Sequence, residues 1–417
     1  MCASPASWRR RAFEKTLLAA ELILLAVTWK LWTPQTVFPQ VPLFEWALDI
    51  PVSLEWFGGI LLVAALAVGL LAESERASRW AMALAAIAIL GLMSVDQLRL
   101  QAWAWQFLLL ALAWTTLPPR EAWGWLRLLA ISLYVFSALS KLNPEFLATL
   151  GPRFVEQGLK YVGLSMASWP EGLRTAVVLT LPLGELLVGV GLAWPAARRW
   201  AVPAAVVMHA LLIALLSPWG MKHSAGVLTW NLFFIAQVVL LFGGRDEQEV
   251  DTPTATEPLT HGTRAIARVL LGLAVLLPIV EPWGYWDAWP SWGLYSARNE
   301  RTEVYLSKEG VARLKGPVRR FLSEADEAEE QRLRLDAWCL DALGVPITPQ
   351  HRQQLGVARG LADRFQLSTE GVRCVRVGAA SYWTGERRHE QVSGGELREL
   401  GGQFWLGSAP RGNLQRP

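Results

Sequence analysis

Long apolar runs fill residues 12–285, whereas residues 286–417 alternate polar and apolar positions as soluble domains do. A membrane-spanning helix needs roughly 20 apolar residues. Nine stretches meet or approach that length: 12–33, 53–73, 78–95, 99–118, 123–143, 174–196, 199–217, 224–242 and 265–285. The third and fourth are separated only by the polar break Asp96, Gln97 and Arg99, which suits a tight helical hairpin. The pattern predicts an all-α polytopic membrane bundle of about nine spans over residues 1–285. A small soluble α+β domain follows over 286–417, with strands at Thr302–Leu306 and Val372–Val377 and helices over 317–343 and 349–366. Phe154, Leu159, Val162 and Leu164 predict a short amphipathic helix in the 144–173 connection. Residues 243–263 read as a polar linker, and the final residues from Pro410 as a frayed end.

Composition sharpens this picture. Only 18% of the chain is charged, against about 25% in a soluble globular protein, and the deficit lies in the first 285 residues. Trp29, Trp32, Trp46, Trp56, Trp80, Trp103, Trp105, Trp219, Trp283, Trp286 and Trp289 stand near span ends, as in an interfacial aromatic belt. Basic residues orient the bundle. With a cytoplasmic N-terminus, Arg9–Arg11, Arg76, Arg79, Arg120, Arg198, Arg199, Arg245 and Arg264 fall inside. The first outer loop, 34–52, has no Lys or Arg. The expected location is therefore the cell (inner) membrane, with the C-terminal domain extracytoplasmic and Lys141 at the outer face. The small net charge of +3 has no basic stripe, which excludes nucleic acid as a partner. Three cysteines are too few for a disulfide framework or a zinc cage, and no metal site is predicted. Cys339 and Cys374 either pair outside the cytoplasm or stand as two buried thiols.

The candidate chemistry lies in a few polar residues at membrane depth, where lipid makes them costly. They are Lys141, Glu185, His209 and Asn231, on successive apolar segments. Tyr134, Ser137 or Ala138, and Lys141 share one helix face by their spacing. A shared outward-facing cavity would bring an amine, a carboxylate, an imidazole, an amide and a phenol together. Each also has a plainer reading. Lys141 at a span end can snorkel to the headgroups, and the others can hydrogen-bond between helices. Lys222 and His223 read as solvated loop residues. Glu21 lies in the first span, with its helical phase open. P-loop, HExxH, CxxC and GxSxG motifs are absent.

Tyr134-Val-Phe-Ser-Ala-Leu-Ser-Lys141-Leu-Asn-Pro-Glu-Phe resembles the aromatic–small–x–Lys-Leu–acid/amide signature of the vitamin K-dependent gamma-carboxylase-like membrane proteins, the HTTM group. The run from Glu185 to Arg198-Arg199, and Val207-Met-His209 with Trp219-Gly-Met221, resemble the segments that follow it there. The resemblance spans roughly 12–243 and is clearest over 130–235. It implies a helical bundle with a non-cytoplasmic site, a reduced quinone as cofactor and Lys141 as catalytic general base. Tyr134, Glu185, His209 and Asn231 then line the pocket. Loss of water favours the free amine that such a base needs. Two departures stand out: the family's lysine pair is Ser140-Lys141 here, and the tail is about 130 residues, one ordinary domain. The expectation is therefore quinol chemistry of the carboxylase/oxygenase-like lyase type rather than glutamate carboxylation itself. A protein or peptide substrate on the outer side and the lipid bilayer are the expected partners. The alternative is non-enzymatic, a DoxX/MauE-like membrane partner that supports redox or maturation of other proteins. A transporter is weaker, because no inverted repeat is visible.

Overall fold

The computed structural model describes residues 5–244, 260–399 and 403–412. Most of the linker 243–263, Cys2, Arg245 and the last residues 413–417 lie outside the described residues. The N-terminal part is helical: α1 (Pro5–Val27), α2 (Val52–Leu71), α3 (Glu75–Val95), α4 (Ala102–Thr116), α5 (Pro119–Leu139), α6 (Gly151–Lys160), α7 (Glu171–Ala193), α8 (Arg198–Leu216), α9 (Ala225–Phe242) and α10 (His261–Leu276). Among the described residues, seven helices are long and apolar enough to cross a membrane: α2, α3, α5, α7, α8 with its preceding turn, α9, and α10 with its following turn. This is compatible with a multi-pass membrane protein, with seven such helices among the described residues where nine spans were expected. Helix α4 has 15 residues, about 22 Å of rise, short of the roughly 30 Å hydrocarbon core. Helix α1 carries Arg9, Arg10, Arg11, Glu14, Lys15 and Glu21, too many charges for a simple span. It ends at Val27 rather than near residue 33, and the chain turns as a 3-10 helix over Trp29–Trp32.

The chain forms two compact units. The first comprises Met1–Val27, Leu62–Ile87 and Ala102–Ala297. Within it α5 packs on α7, and α9 packs on both α1 and α8. Small residues permit the close approaches: a Cβ at Gly189 of α7 would stand 3.0 Å from Tyr134 Cβ on α5. Basic side chains near the helix starts close the opposite helix ends. Arg9 donates to Leu240 O (2.6 Å) and Arg127 to Leu241 O (2.8 Å), at the end of α9. Lys15 donates to Gly69 O (2.6 Å) and Ala72 O (2.8 Å), ending α2. Arg79 reaches Thr115 O (3.1 Å) at the end of α4, and Arg198 reaches Leu192 O (2.9 Å) at the end of α7. Each cation satisfies orphan carbonyls and complements the negative end of a helix dipole. Several residues read as topological signals thus also have a structural job.

The second unit comprises Thr28–Leu61, Ala88–Gln101 and Arg298–Pro417. It includes two segments that the sequence pattern grouped with the bundle. Its elements are β1 (Arg301–Leu306), α11 (Lys308–Arg313), β2 (Leu322–Ala325), β3 (Gln331–Leu333), α12 (Leu335–Leu343), α13 (His351–Phe365), β4 (Val372–Val377), β5 (His389–Ser393) and α14 (Glu396–Glu399). The strands form one antiparallel sheet in the order β2-β3-β1-β4-β5. Val304 of β1 pairs with Cys374 of β4 and Leu306 with Val372, all on the buried face. Helix α13 packs on β1 and β4. The β1, β4 and α13 expectations agree with these elements. The long helix expected over 317–343 does not form. A 3-10 turn, Gly316–Phe321, precedes β2 and β3, and only α12 is helical. Leu333 is drawn into the sheet, which the run of helix-favouring acidic residues conceals. Cys339 and Cys374 are free and buried, so the pairing alternative fails. Burial pushes the Cys374 thiol up to about 12.

Arg99, in the polar break expected to form a tight hairpin, is fully buried in this unit. It ion-pairs with Glu55, which also pairs with Arg411 at 2.7 Å, and none of the three side chains is exposed. Arg99 further donates to Leu31 O (2.9 Å), Leu92 O (3.2 Å) and Thr33 O (3.1 Å). Gln40 donates to Glu55 at 2.6 Å and accepts from Arg411 at 3.1 Å. The cluster joins three stretches distant in sequence. Replacing Glu55 with leucine strands two buried guanidiniums and should cost about 3–5 kcal/mol. Arg411→Leu should cost less, because Glu55 keeps Arg99. Chemical unfolding followed by tryptophan fluorescence checks that order.

Candidate functional site

The first unit gathers its membrane-depth polar residues on α5, α7, α8 and α9. Lys141 follows the end of α5 in a tightly fixed turn. Ser140 N donates to Phe136 O (2.9 Å) and Lys141 N to Ala138 O (3.0 Å). Asn143 accepts from Phe146 N (3.0 Å) and donates to Ser140 O (2.7 Å), so it caps the next helical segment and holds the turn. Ser296 Oγ also donates to Ser140 O, at 3.0 Å. These contacts explain why an amide two residues after the lysine fits the local chemistry.

The ammonium of Lys141 does not snorkel. It donates to Glu185 Oε2 (2.7 Å), Ser137 Oγ (2.7 Å) and Ser137 O (3.1 Å). An ammonium has three donors, and these three acceptors use them all. The lysine residue is 9% exposed, and Glu185 is half-buried. Glu185 lies past the midpoint of α7, three residues after Pro182, so the ammonium sits at mid-depth of that helix rather than at its mouth. Pro182 lacks the N–H that would bond Val178 O, and the irregular turn directly precedes the carboxylate.

A second network lies one to two turns along α5. Tyr134 OH and His209 Nε2 are 2.7 Å apart. His209 Nδ1 and Asn231 Oδ1 are 2.9 Å apart, and Asn231 Nδ2 donates to Val227 O at 2.9 Å. The Phe234 ring stacks on the imidazole, centroids 4.8 Å apart and planes 12° from parallel. Tyr134, His209 and Asn231 are all buried. Glu185 is within electrostatic reach of Tyr134 and His209, and Lys141 of His209. All five expected site residues are therefore brought into two adjoining networks, joined through Tyr134 and Ser137 of α5 and Lys141 in the turn after it.

Glu21 is not part of them. It is buried with one carboxyl oxygen lacking a hydrogen-bond partner. Sequence reasoning missed a further set. Trp230 Nε1 donates to Gln106 Oε1 (2.7 Å), and Gln106 Nε2 to Gln237 Oε1 (3.0 Å). Trp230 also packs on Phe234, centroids 5.0 Å apart. Gln106 and Gln237 carry the same signal as Asn231, an amide within an apolar run. His223 is not simply solvated: its ring meets Tyr295 edge-on at 5.4 Å, and partial burial lowers its pKa from the usual value.

Compared with known proteins, the chain matches no protein-family model, no curated sequence and no solved structure. Among the described residues no group of His, Cys, Asp and Glu is arranged to hold a metal ion. The site is thus defined by its own geometry. It holds one cation and one anion in direct contact, beside a phenol–imidazole–amide chain walled by aromatic rings.

That contact predicts a stability order. Glu185→Leu leaves Lys141 buried without its anion and should destabilise the bundle by about 3–5 kcal/mol. The double substitution Lys141→Met with Glu185→Leu should recover most of that loss. Reversible unfolding in mixed micelles measures both.

Proposed function

We propose that this is an integral membrane protein that carries out base chemistry on a reduced quinone, or a related lipid-soluble phenol, at a site inside its helical bundle. The observation that carries the reading is the enclosed Lys141–Glu185 contact. Two opposite charges at mid-helix depth are costly to keep from water. A contact that only tied helices together would be served as well by apolar packing. The pair also has a reactive alternative: moving one proton from Nζ to the Glu185 carboxylate leaves a neutral amine. Lys141 then takes a hydroxyl proton as general base, and Glu185 releases or retains the proton it received. A quinol supplies acidic hydroxyls and reducing equivalents. The side chains suit such a group: a phenol and an imidazole lie beside the flat ring of Phe234, which packs on Trp230, and the Lys141 amine lies in the adjoining network.

On this proposal the N-terminus is cytoplasmic and residues 286–417 are extracytoplasmic. The cationic side chains collected at the ends of α2, α4, α7 and α9 support that orientation. The resemblance of residues 130–235 to the gamma-carboxylase-like group supports the same choice of base. The tail domain would then meet any protein or peptide substrate outside the membrane.

The test uses full-length protein in lipid nanodiscs with menaquinol-4 and dissolved oxygen, which accepts the two electrons that the quinol loses. Lys141→Ala should lower quinol consumption by roughly 100-fold or more, the usual contribution of a general base, while the fold is retained. Full turnover in that variant removes Lys141 from the chemistry. Absence of any turnover in the wild type, together with a protein partner captured only when residues 286–417 are present, favours the non-enzymatic anchor instead.

A further inference from the structure

We infer that Tyr134, His209 and Asn231 form a second proton acceptor of the site, separate from Lys141, that draws a phenolic proton through Tyr134 onto His209. The inference rests on the functional reading above and deepens it.

The hydrogen-bond directions follow from the amide. Asn231 Nδ2 donates to Val227 O, which leaves Oδ1 facing His209 as an acceptor. His209 Nδ1 must therefore carry a proton. In the neutral ring the other nitrogen, Nε2, then has a lone pair. Tyr134 is the group within 2.7 Å of it, so the phenol donates its proton to Nε2. The Tyr134 oxygen is left with unused lone pairs and no proton to offer elsewhere. It is set to receive a hydrogen bond.

Lys141 is not the donor to that oxygen. Its three N–H groups are already taken by Glu185, Ser137 Oγ and Ser137 O. An incoming hydroxyl is a group that can donate to that oxygen. As the hydroxyl proton bonds to the Tyr134 oxygen, the Tyr134 proton moves to His209 Nε2. One O–H bond breaks at the substrate and one forms at Tyr134. One O–H bond breaks at Tyr134 and one N–H forms at His209. Tyr134 ends neutral, His209 ends as imidazolium, and the substrate keeps the electron pair.

Glu185 lies within electrostatic reach of His209 and stabilises the new positive charge, against the burial and the Lys141 ammonium that disfavour it. Phe234, stacked on the imidazole, keeps the ring in plane with its partners. Asn231 acts through His209 and is a positioning residue. It holds the tautomer in which Nε2 is the open acceptor. Lys141, in the turn after α5, stands seven positions beyond Tyr134, so the site presents two distinct acceptors to one bound molecule. A dihydroxy aromatic, with a hydroxyl for each, is the substrate class that uses both.

Nitrogen NMR of histidine-labelled full-length protein in nanodiscs tests the relay without any substrate. His209 is assigned from the signal lost in His209→Asn. The expected result at neutral pH is a protonated Nδ1 and an unprotonated, hydrogen-bonded Nε2. Tyr134→Phe should move the Nε2 signal to that of a free nitrogen. Asn231→Leu should mix the tautomers, and Asn231→Asp should restore one. A protonated Nε2 in the wild type overturns the proposal. With menaquinol-4, Tyr134→Phe should lower turnover roughly tenfold or more, and the acid limb of the pH–rate profile should vanish in His209→Asn. Unchanged turnover and profile in both variants also overturn it. If the wild type turns over no quinol, the functional reading fails, while the NMR result still decides the relay.

Discussion

Charge withdrawn from water needs a partner, and this constraint organises both units of the protein. The penalty for an unpaired ion in an apolar interior is several kcal/mol, large against a total stability of about 5–15 kcal/mol. In the first unit Lys141 meets Glu185, and the basic side chains of α1, α3, α5 and α8 meet the open carbonyls of neighbouring helices. In the second, Glu55 is shared by Arg99 and Arg411. These fixed contacts set which helix faces turn inward. They also concentrate the reactive side chains in one place.

Much of this was legible in the residue pattern, and the failures have specific causes. The apolar runs located the helices of the bundle because a spanning helix has a required length. They could not separate a span from a buried helix. Helix α4 is apolar along most of its length but too short to cross, and ten of its residues are buried against protein. Lys141, Glu185, His209, Asn231 and Tyr134 stood out because polar groups in apolar runs are rare. Their partners were hidden, since pairing depends on rotation and tilt of helices that the sequence does not fix. Arg99 shows the same limit. It was legible only as part of a polar break, and the fold supplies Glu55 and three carbonyls to enclose it. In the tail, acidic helix-favouring residues masked a turn and two short strands around Leu322 and Leu333.

The two networks of the site differ in what they can do. Lys141 and Glu185 hold an amine and a carboxylate in direct contact, 2.7 Å apart. The phenol–imidazole–amide chain has a fixed direction, set by one amide that donates to its own helix.

The central claim is that this interior holds a lipid-soluble quinol rather than serving only to hold helices together. Extraction of the purified wild-type protein followed by mass spectrometry of its lipids measures this most directly. A quinone retained in stoichiometric amount is the predicted result. Quinone no higher than in an unrelated membrane protein prepared in the same way would contradict it.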